Sequence, residues 1–221
     1  MSEYAGVGAV PVGLGTPVAA EDQARADLYA LLARLYAAPP NDAFLRAIAE
    51  SPPMGMSTLT EPAESAAAEF GARWDRLRAA CGVMDPEAAE QEYQDLFVGV
   101  GRSEVNLHAS HWLTGFMMEK PLVEVRATLA TLGLGRKPDA IMVEDHIAAL
   151  FETMRLLVAG HGERPPAPIA VQQMFFERHV QPWIGRCCDA IRDATLANFY
   201  RHVAEFTESY VALERDSFAM G

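Results

Sequence analysis

Histidines are the first side chains to test for metal chemistry, and the sequence contains six of them. In helical bundles, two-metal sites commonly use a glutamate three residues before a histidine. None of the six histidines has that glutamate. His108 and His111 are one helical turn apart, but only Glu104 lies close in sequence, and zinc ordinarily takes four ligands. The sequence therefore predicts no metal site, and it favours packing or surface roles for the histidines.

Cysteine and serine offer no recognisable nucleophile. The adjacent Cys187 and Cys188 are predicted to lie at the start of a helix, where the helix dipole would lower a thiol pKa, although ordinary burial in helix packing is the favoured interpretation. No Gly-x-Ser-x-Gly or Cys-x-x-Cys motif occurs, and Gly99-Val100-Gly101 lacks the third glycine of a phosphate-binding loop. We therefore expect a protein that is not an enzyme and that carries no cofactor.

Two segments combine several carboxylates with no basic residue. The carboxylates are Asp85, Glu87, Glu90, Glu92 and Asp95 in residues 85–95, and Asp139, Glu144, Asp145 and Glu152 in residues 138–154. Such runs are usually solvated helix faces, but they also suit a partner that carries basic groups. At the level of sequence both interpretations remain open.

The overall charge and composition restrict the partners. The chain has 30 acidic and 18 basic residues, a net charge of −12, which repels nucleic acid and anionic lipid and favours a basic partner. Only three cysteines occur, so no disulfide framework is expected and a reducing compartment fits. No basic region precedes the uncharged residues 4–20, and no apolar run approaches the roughly 20 residues of a membrane-spanning helix. We expect a cytoplasmic protein that binds neither nucleic acid nor, stably, a membrane.

Helices must position all of these groups, because no segment has a strand pattern. Helices are predicted over residues 22–38, 42–50, 62–80, 85–97, 141–158 and 169–180, with two more inside 110–132 that break near Glu119-Lys120-Pro121. A final long helix is predicted from an apolar stripe that runs from Cys188 through Phe199 to Leu213. Each helix has one apolar face that another helix can cover. The predicted fold is all-α, a helical bundle of roughly nine to eleven helices.

Glycine and proline divide the chain into a tail and one domain. Residues 1–20 contain repeated glycines and prolines and are predicted to form a disordered N-terminal tail. Residues 21–221 are predicted to be a single all-helical domain, with a candidate hinge at residues 159–168. A hinge between helical parts permits two copies to exchange one part, so a swapped homodimer is a hypothesis.

Three motifs resemble those of the TorD/DmsD/NarJ family of redox-enzyme maturation chaperones. Glu92-Tyr93-Gln94-Asp95-Leu96-Phe97-Val98-Gly99 is similar to the family's Glu-Tyr-x-x-Leu-Phe-x-Gly, and Asp145-His146 to the end of its Glu-Pro-x-Asp-His. Residues 176–183 are similar to its Phe-x-x-His-Leu-x-Pro-Trp, and the pair Phe199-Tyr200 follows further along. Met142 and Val143 stand where the family has Glu-Pro. The resemblance spans roughly residues 21–215.

The resemblance implies a chaperone that binds the twin-arginine signal peptide and the immature form of a molybdenum-containing oxidoreductase, delaying export until the cofactor is inserted. The residues that it marks for partner binding are Glu92, Tyr93, Leu96, Phe97, Glu144, Asp145 and His146. Core packing is the alternative for Tyr93, Leu96 and Phe97, and helix capping is the alternative for Asp145 and His146. The rival functions are a structural subunit of a redox complex and a weak nucleotide-binding enzyme.

Overall fold

The computed structural model describes residues 19–54, 66–99, 103–136, 142–162 and 164–220. The helices within these ranges are α1 (Ala20–Ala37), α2 (Asp42–Ala49), α3 (Ala66–Val83), α4 (Pro86–Tyr93), α5 (Ala109–Thr114), α6 (Lys120–Thr131), α7 (Ile147–Ala159), α8 (Ile169–Phe175), α9 (Gln181–Asp193) and α10 (Phe199–Met220). No strand occurs in the described ranges; two isolated β-bridges join His108 to His146 and His161 to Arg164. The prediction of an all-α fold is confirmed.

Two π-helical turns lengthen the helices that they join. One turn, Gln94–Val98, continues α4, and the other, Phe176–Val180, connects α8 to α9 without a break. When each uninterrupted run is counted once, the described residues contain nine helices. This number lies within the predicted nine to eleven.

Local sequence explains several of the helix starts. The Asn41 side chain accepts a hydrogen bond from the Phe44 N–H at the start of α2. Asp85 caps α4 by accepting from the N–H groups of Glu87 and Ala88, and Pro86 occupies the first helical position, as its fixed φ favours. The predicted break at residues 119–121 is confirmed, since α6 begins at Lys120. Residues 62–65 of the predicted helix 62–80 lie outside the described residues.

The predicted long helix from the vicinity of Cys188 to Leu213 is wrong. Helix α9 ends at Asp193, the backbone of Ala194 is extended, and α10 begins only at Phe199. The apolar stripe is real but belongs to two helices, both of which face the core. The predicted position of Cys187 and Cys188 at a helix start is also wrong, because the helix runs on from α8 and places both cysteines well inside it.

The helices pack around one continuous apolar core. Helix α1 packs along α7, and α10 packs against both α3 and α9. Helix α2 covers α3, and α5 contacts α6 and α9. The largest fully buried side chains are aromatic and include Tyr29, Tyr36, Phe151, Phe206 and Trp183. Aromatic rings of this size contribute a large share of the buried apolar area. None of the described helices is long and apolar enough to cross a membrane.

A partly buried ion pair joins the first described helix to the last. The guanidinium of Arg25 in α1 donates from Nε to Glu214 Oε1 in α10 at 2.8 Å. Tyr29 donates its hydroxyl to Glu214 Oε2 at 2.8 Å, and the Tyr210 hydroxyl bonds back to the Arg25 carbonyl at 3.0 Å. Glu214 is 2% exposed, so the hydrogen bonds from Arg25 and Tyr29 replace its lost hydration.

The candidate hinge at residues 159–168 is a hydrogen-bonded turn in the part that the structure describes. His161 and Arg164 each donate a backbone N–H to the other's carbonyl. Ala167 donates to the Leu157 carbonyl, and the Arg164 side chain donates to the Leu132 carbonyl at 2.9 Å. Hinge motion and a swapped homodimer stay predictions. Residues 1–18 of the predicted disordered tail lie outside the described residues.

Candidate functional site

Glu92 caps the start of α10. Its Oε1 accepts the backbone N–H groups of Asn198 at 2.9 Å and Tyr200 at 2.8 Å, and its Oε2 accepts the N–H of Phe199 at 3.0 Å. The first N–H groups of a helix have no partner inside it, and the positive end of the helix dipole favours a carboxylate. Glu92 is 8% exposed, so its side chain is committed to this internal contact.

The three apolar residues of the first motif lie in an aromatic cluster beside that cap. The hydroxyl of Tyr93 donates to the Tyr36 carbonyl at 3.1 Å, and its ring contacts the rings of Phe97 and Tyr200. Leu96 is fully buried, whereas Phe97 is only partly buried. The motif therefore builds the junction of α1, α4 and α10, and a role of Tyr93, Leu96 and Phe97 in partner binding stays a prediction.

Asp145 holds the start of α5 from outside that helix. Its Oδ2 accepts the Ser110 N–H at 3.0 Å and the Ser110 hydroxyl at 2.5 Å. The Asp145 carbonyl also accepts the Ala109 N–H at 2.9 Å. Asp145 is 1% exposed. Its carboxylate thus stabilises the N-terminus of a short helix that has no side-chain cap of its own.

His146 caps α7 and contacts a second histidine. Its Nδ1 accepts the Ala148 N–H at 3.2 Å, and its ring lies edge-on to that of His108, with 4.9 Å between centroids. Burial, together with the nearby His108, lowers the pKa of His146 to about 3. Burial also lowers the pKa of His108, against the opposing charge of Asp145. Near neutral pH both rings are therefore uncharged, which suits the acceptor role at the cap.

Capping, one of the two interpretations that the sequence left open for this pair, describes both residues. Partner binding by Asp145 and His146 stays a prediction. The predicted helix over residues 141–158 in fact begins at Ile147, so the pair precedes it. His146 caps α7, whereas the Asp145 carboxylate caps α5.

Glu144 differs from its neighbours because it reaches an open groove. Arg126 donates from Nε to Glu144 Oε2 at 3.0 Å, and the Nε of Arg136 lies 3.9 Å from Oε1. Partial burial raises the pKa of Glu144, but the Arg126 hydrogen bond and the charges of both arginines outweigh it and hold this pKa below its ordinary value. Glu144 is therefore ionised near neutral pH.

The groove lies between α1 and α7 and is bordered by the segment after α6. Its volume is 720 Å³. The floor consists mainly of small or apolar side chains, among them Ala33, Leu129, Ala149 and Leu156, and the charged rim is formed by Arg34, Arg136, Glu144, Glu152 and Arg155. An apolar floor with a few charged groups is the usual composition of a binding pocket.

Of the residues predicted for partner binding, the groove contains Glu144 alone. The groove residues of α1 were not predicted, and of those in α7 only Glu152 was, as a member of the second acidic segment. The signal that could have found them is the spacing of Ala30, Ala33 and Ala37, since small residues at three and four places apart leave a shallow face on a helix. Composition alone does not show that this face stays uncovered.

The two adjacent cysteines are buried inside a helix. Burial raises the pKa of Cys187 and of Cys188 well above the ordinary thiol value, and a protonated thiol is a poor nucleophile. Within the described ranges, no group of three or more His, Cys, Asp or Glu side chains could hold a metal ion.

The described residues define a class of fold, an acidic all-α bundle with an apolar groove on its surface. Within that class, residues 63–189 match the family model described as nitrate reductase delta subunit. The match covers more than half of the chain, so the chain belongs to the nitrate reductase delta subunit family, the NarJ/TorD type of chaperones that mature molybdenum enzymes. The resemblance seen in the motifs is confirmed. The comparison with curated proteins produced no match.

Proposed function

We propose that this protein is a cytoplasmic chaperone that binds the twin-arginine signal peptide and the immature form of a molybdenum-containing oxidoreductase. By holding the precursor, it delays export until the cofactor is inserted. Membership of a molybdoenzyme maturation family supports the general role. The groove between α1 and α7 supports the specific one.

The groove matches the two chemical features of such a signal peptide. An apolar stretch of the peptide would cover the floor around Ala33, Leu129 and Leu156, which removes apolar surface from water. Its arginines would meet the carboxylates of Glu144 and Glu152 at the rim. Guanidinium groups match carboxylates well because they donate several hydrogen bonds in one plane.

Glu152 is the more accessible of the two carboxylates. It pairs with Arg155 one helical turn away, at 2.7 Å, and its side chain is 47% exposed. An exposed pair of this kind contributes little to stability, about 0–1 kcal/mol. A peptide arginine can therefore replace Arg155 at small cost.

In this proposal the buried residues of the motifs do not contact the client; they hold the helices in place. Glu92 fixes α10, and Asp145 and His146 fix the starts of α5 and α7. Glu144 directly precedes that capped start, so the caps position the rim carboxylate. We propose Glu144 as the residue of the second motif that contacts the client.

The test is calorimetric titration of a twin-arginine signal peptide into the wild type and into Glu152→Gln. We expect Glu152→Gln to bind about two- to tenfold more weakly, because one charge-assisted hydrogen bond is lost from a partly exposed site. The matched control is Asp75→Asn, which removes the same charge from an exposed pair with Arg78 on α3, away from the groove. Binding should also weaken with salt, since such charges are screened.

Three outcomes would overturn the proposal: no binding to the wild type, equal binding of a peptide with two lysines replacing the arginines, or equal loss in both variants. A structural subunit of a redox complex, the rival function, would copurify with the mature enzyme instead of the precursor. Nucleotide hydrolysis that is lost when one residue of this chain is replaced would instead favour the other rival function, a nucleotide-binding enzyme.

A further inference from the structure

Glu144 already holds two arginines of its own chain. Arg126 comes from α6, and both its Nε and its terminal nitrogen lie 3.0 Å from Glu144 Oε2. Arg136 approaches the other oxygen, Oε1, at 3.9 Å. The carboxylate is thus flanked by two guanidinium groups, one on each oxygen, at the edge of the groove.

The two sides of this arrangement differ in how firmly they are held. The Glu144 side chain is only 13% exposed, whereas that of Arg126 is 51% exposed and that of Arg136 is 40% exposed. The carboxylate is therefore fixed in place while the arginines reach it from the solvent side. A long, exposed arginine can leave such a contact by rotating its side chain, and water then solvates it.

We propose that Arg126 and Arg136 are internal stand-ins for the arginine pair of the client, so that the peptide binds at Glu144 by exchange and not by addition. This inference rests on the proposed function and concerns how peptide binding at the same groove is regulated. Because the internal arginines keep Glu144 neutralised, the free protein does not present an unpaired, partly buried carboxylate, which would be costly.

Exchange has a consequence for selectivity. A ligand must supply guanidinium groups at least as well placed as those it displaces, so a single lysine, a point charge on a flexible stem, competes poorly. The internal pair thereby discriminates against generally basic peptides, which the net charge of −12 would otherwise attract.

The experiment compares Arg126→Gln with the wild type by calorimetric titration of the same twin-arginine peptide. Removing the competitor should tighten binding about two- to fivefold, the range measured for exposed ion pairs. The matched control is Arg178→Gln. Arg178 is 54% exposed and pairs with Glu124, also on α6, at 3.8 Å, so the net charge changes equally while Glu144 keeps its partners.

A double-mutant cycle with Glu144→Gln assigns the effect to the carboxylate. The gain from Arg126→Gln should disappear in the Glu144→Gln background, because there is then no carboxylate to release. Equal tightening in Arg126→Gln and Arg178→Gln would show a net-charge effect and overturn the inference, as would weaker binding of Arg126→Gln. If the wild type does not bind the peptide at all, the proposed function itself fails.

Discussion

The carboxylate of Glu92 lies where the N-terminus of α10 needs acceptors, although Glu92 and Asn198 are 106 residues apart in sequence. Three backbone N–H groups converge on its two oxygens. This cap from a distant part of the chain replaces the N-cap that a local Ser, Asp or Asn side chain usually provides. It also couples α4 to α10, so the first motif and the Phe199-Tyr200 pair are parts of one contact.

Replacing Glu92 by Gln tests this cap. The amide retains one acceptor but turns a donor toward a backbone N–H, so we expect a loss of about 1–3 kcal/mol in the free energy of unfolding. The measurement is urea denaturation followed by circular dichroism. Glu90→Gln is the control, because it makes the same change on an exposed position of the same helix. Equal effects in the two variants would contradict the capping role.

At this scale the sequence predicts local contacts better than distant ones. The Asp85-Pro86 cap was predictable because both partners lie within one helical turn. Glu92 was predicted to bind a partner because the family resemblance marks it. Its capping contact was not predicted, because the N–H donors lie in another helix, which no spacing rule connects to it. Glu144 was predicted to bind a partner, but its pairing with Arg126 was not predicted, for the same reason.

The turn between α7 and α8 depends on one glycine. Gly160 has a φ of +77°, which side chains rarely adopt, and a Cβ built there would lie 2.4 Å from the Arg164 carbonyl oxygen. Gly162 also has a positive φ, +58°, but a Cβ there would meet nothing within 4 Å. A comparison of the two positions therefore distinguishes the cost of backbone strain from the cost of steric overlap.

Alanine at each glycine should give unequal losses of stability. For Gly162→Ala we expect about 1 kcal/mol, the cost of a left-handed backbone. For Gly160→Ala we expect more than about 2 kcal/mol, because the turn must also open. Urea denaturation measures both. Similar losses would show that the turn adapts, and size-exclusion chromatography would then show whether the opened segment permits a swapped dimer.

Elements were predicted well where a proline together with a cap or a glycine marked their ends, as at α2, α4 and α6. The separation of α9 from α10 was not predictable in this way. The five residues from Ala194 to Asn198 contain neither glycine nor proline, and the apolar stripe continues across them. Tertiary contact of the α10 start with Glu92 overrides the local helical preference there.

On the scale of the whole molecule, buried histidines make the fold sensitive to acid. Burial lowers the pKa of His146 to about 3 and that of His179 to about 4, in the latter case together with the charge of Arg178. An unfolded chain titrates its histidines near 6.5. Below that pH the histidines of the unfolded chain bind protons, whereas the buried histidines of the folded chain stay neutral until the pH is much lower. The free energy of unfolding therefore decreases as the pH falls.

His146→Asn should remove part of this acid sensitivity. Between pH 7.5 and pH 5 the His146 contribution to the wild type should fall by about 2 kcal/mol, as 1.5 pH units below 6.5 imply. Asparagine is also a good N-cap, so the variant should fold at pH 7.5. Urea denaturation at both pH values measures the difference, and His161→Asn, an exposed position, is the control. If the free energy of unfolding decreased by the same amount between the two pH values in His146→Asn and in the wild type, His146 would take up its proton in the folded state.

The general architecture followed from the apolar stripes, because amphipathic helices of this length have few ways to bury themselves other than a bundle. The choice of neighbours did not follow from them. That α1 pairs with α7, and that α10 contacts α3, depends on side-chain shapes such as the stacked rings of Phe70 and Phe206, 5.2 Å apart. The groove is what this pairing leaves uncovered, so it could not be predicted from the stripes.

The contact of Arg25 and Tyr29 with Glu214 has a consequence for biosynthesis. The groups are 189 and 185 residues apart, and a ribosome delivers the amino-terminal helix first. Helix α1 therefore emerges with its apolar side and its partly buried cation unmatched, and it contacts α7, and later α10, only after more than 100 further residues have been made. During that interval the nascent chain presents the kind of surface that general folding factors recognise, so this chaperone is itself a candidate client while it is being made.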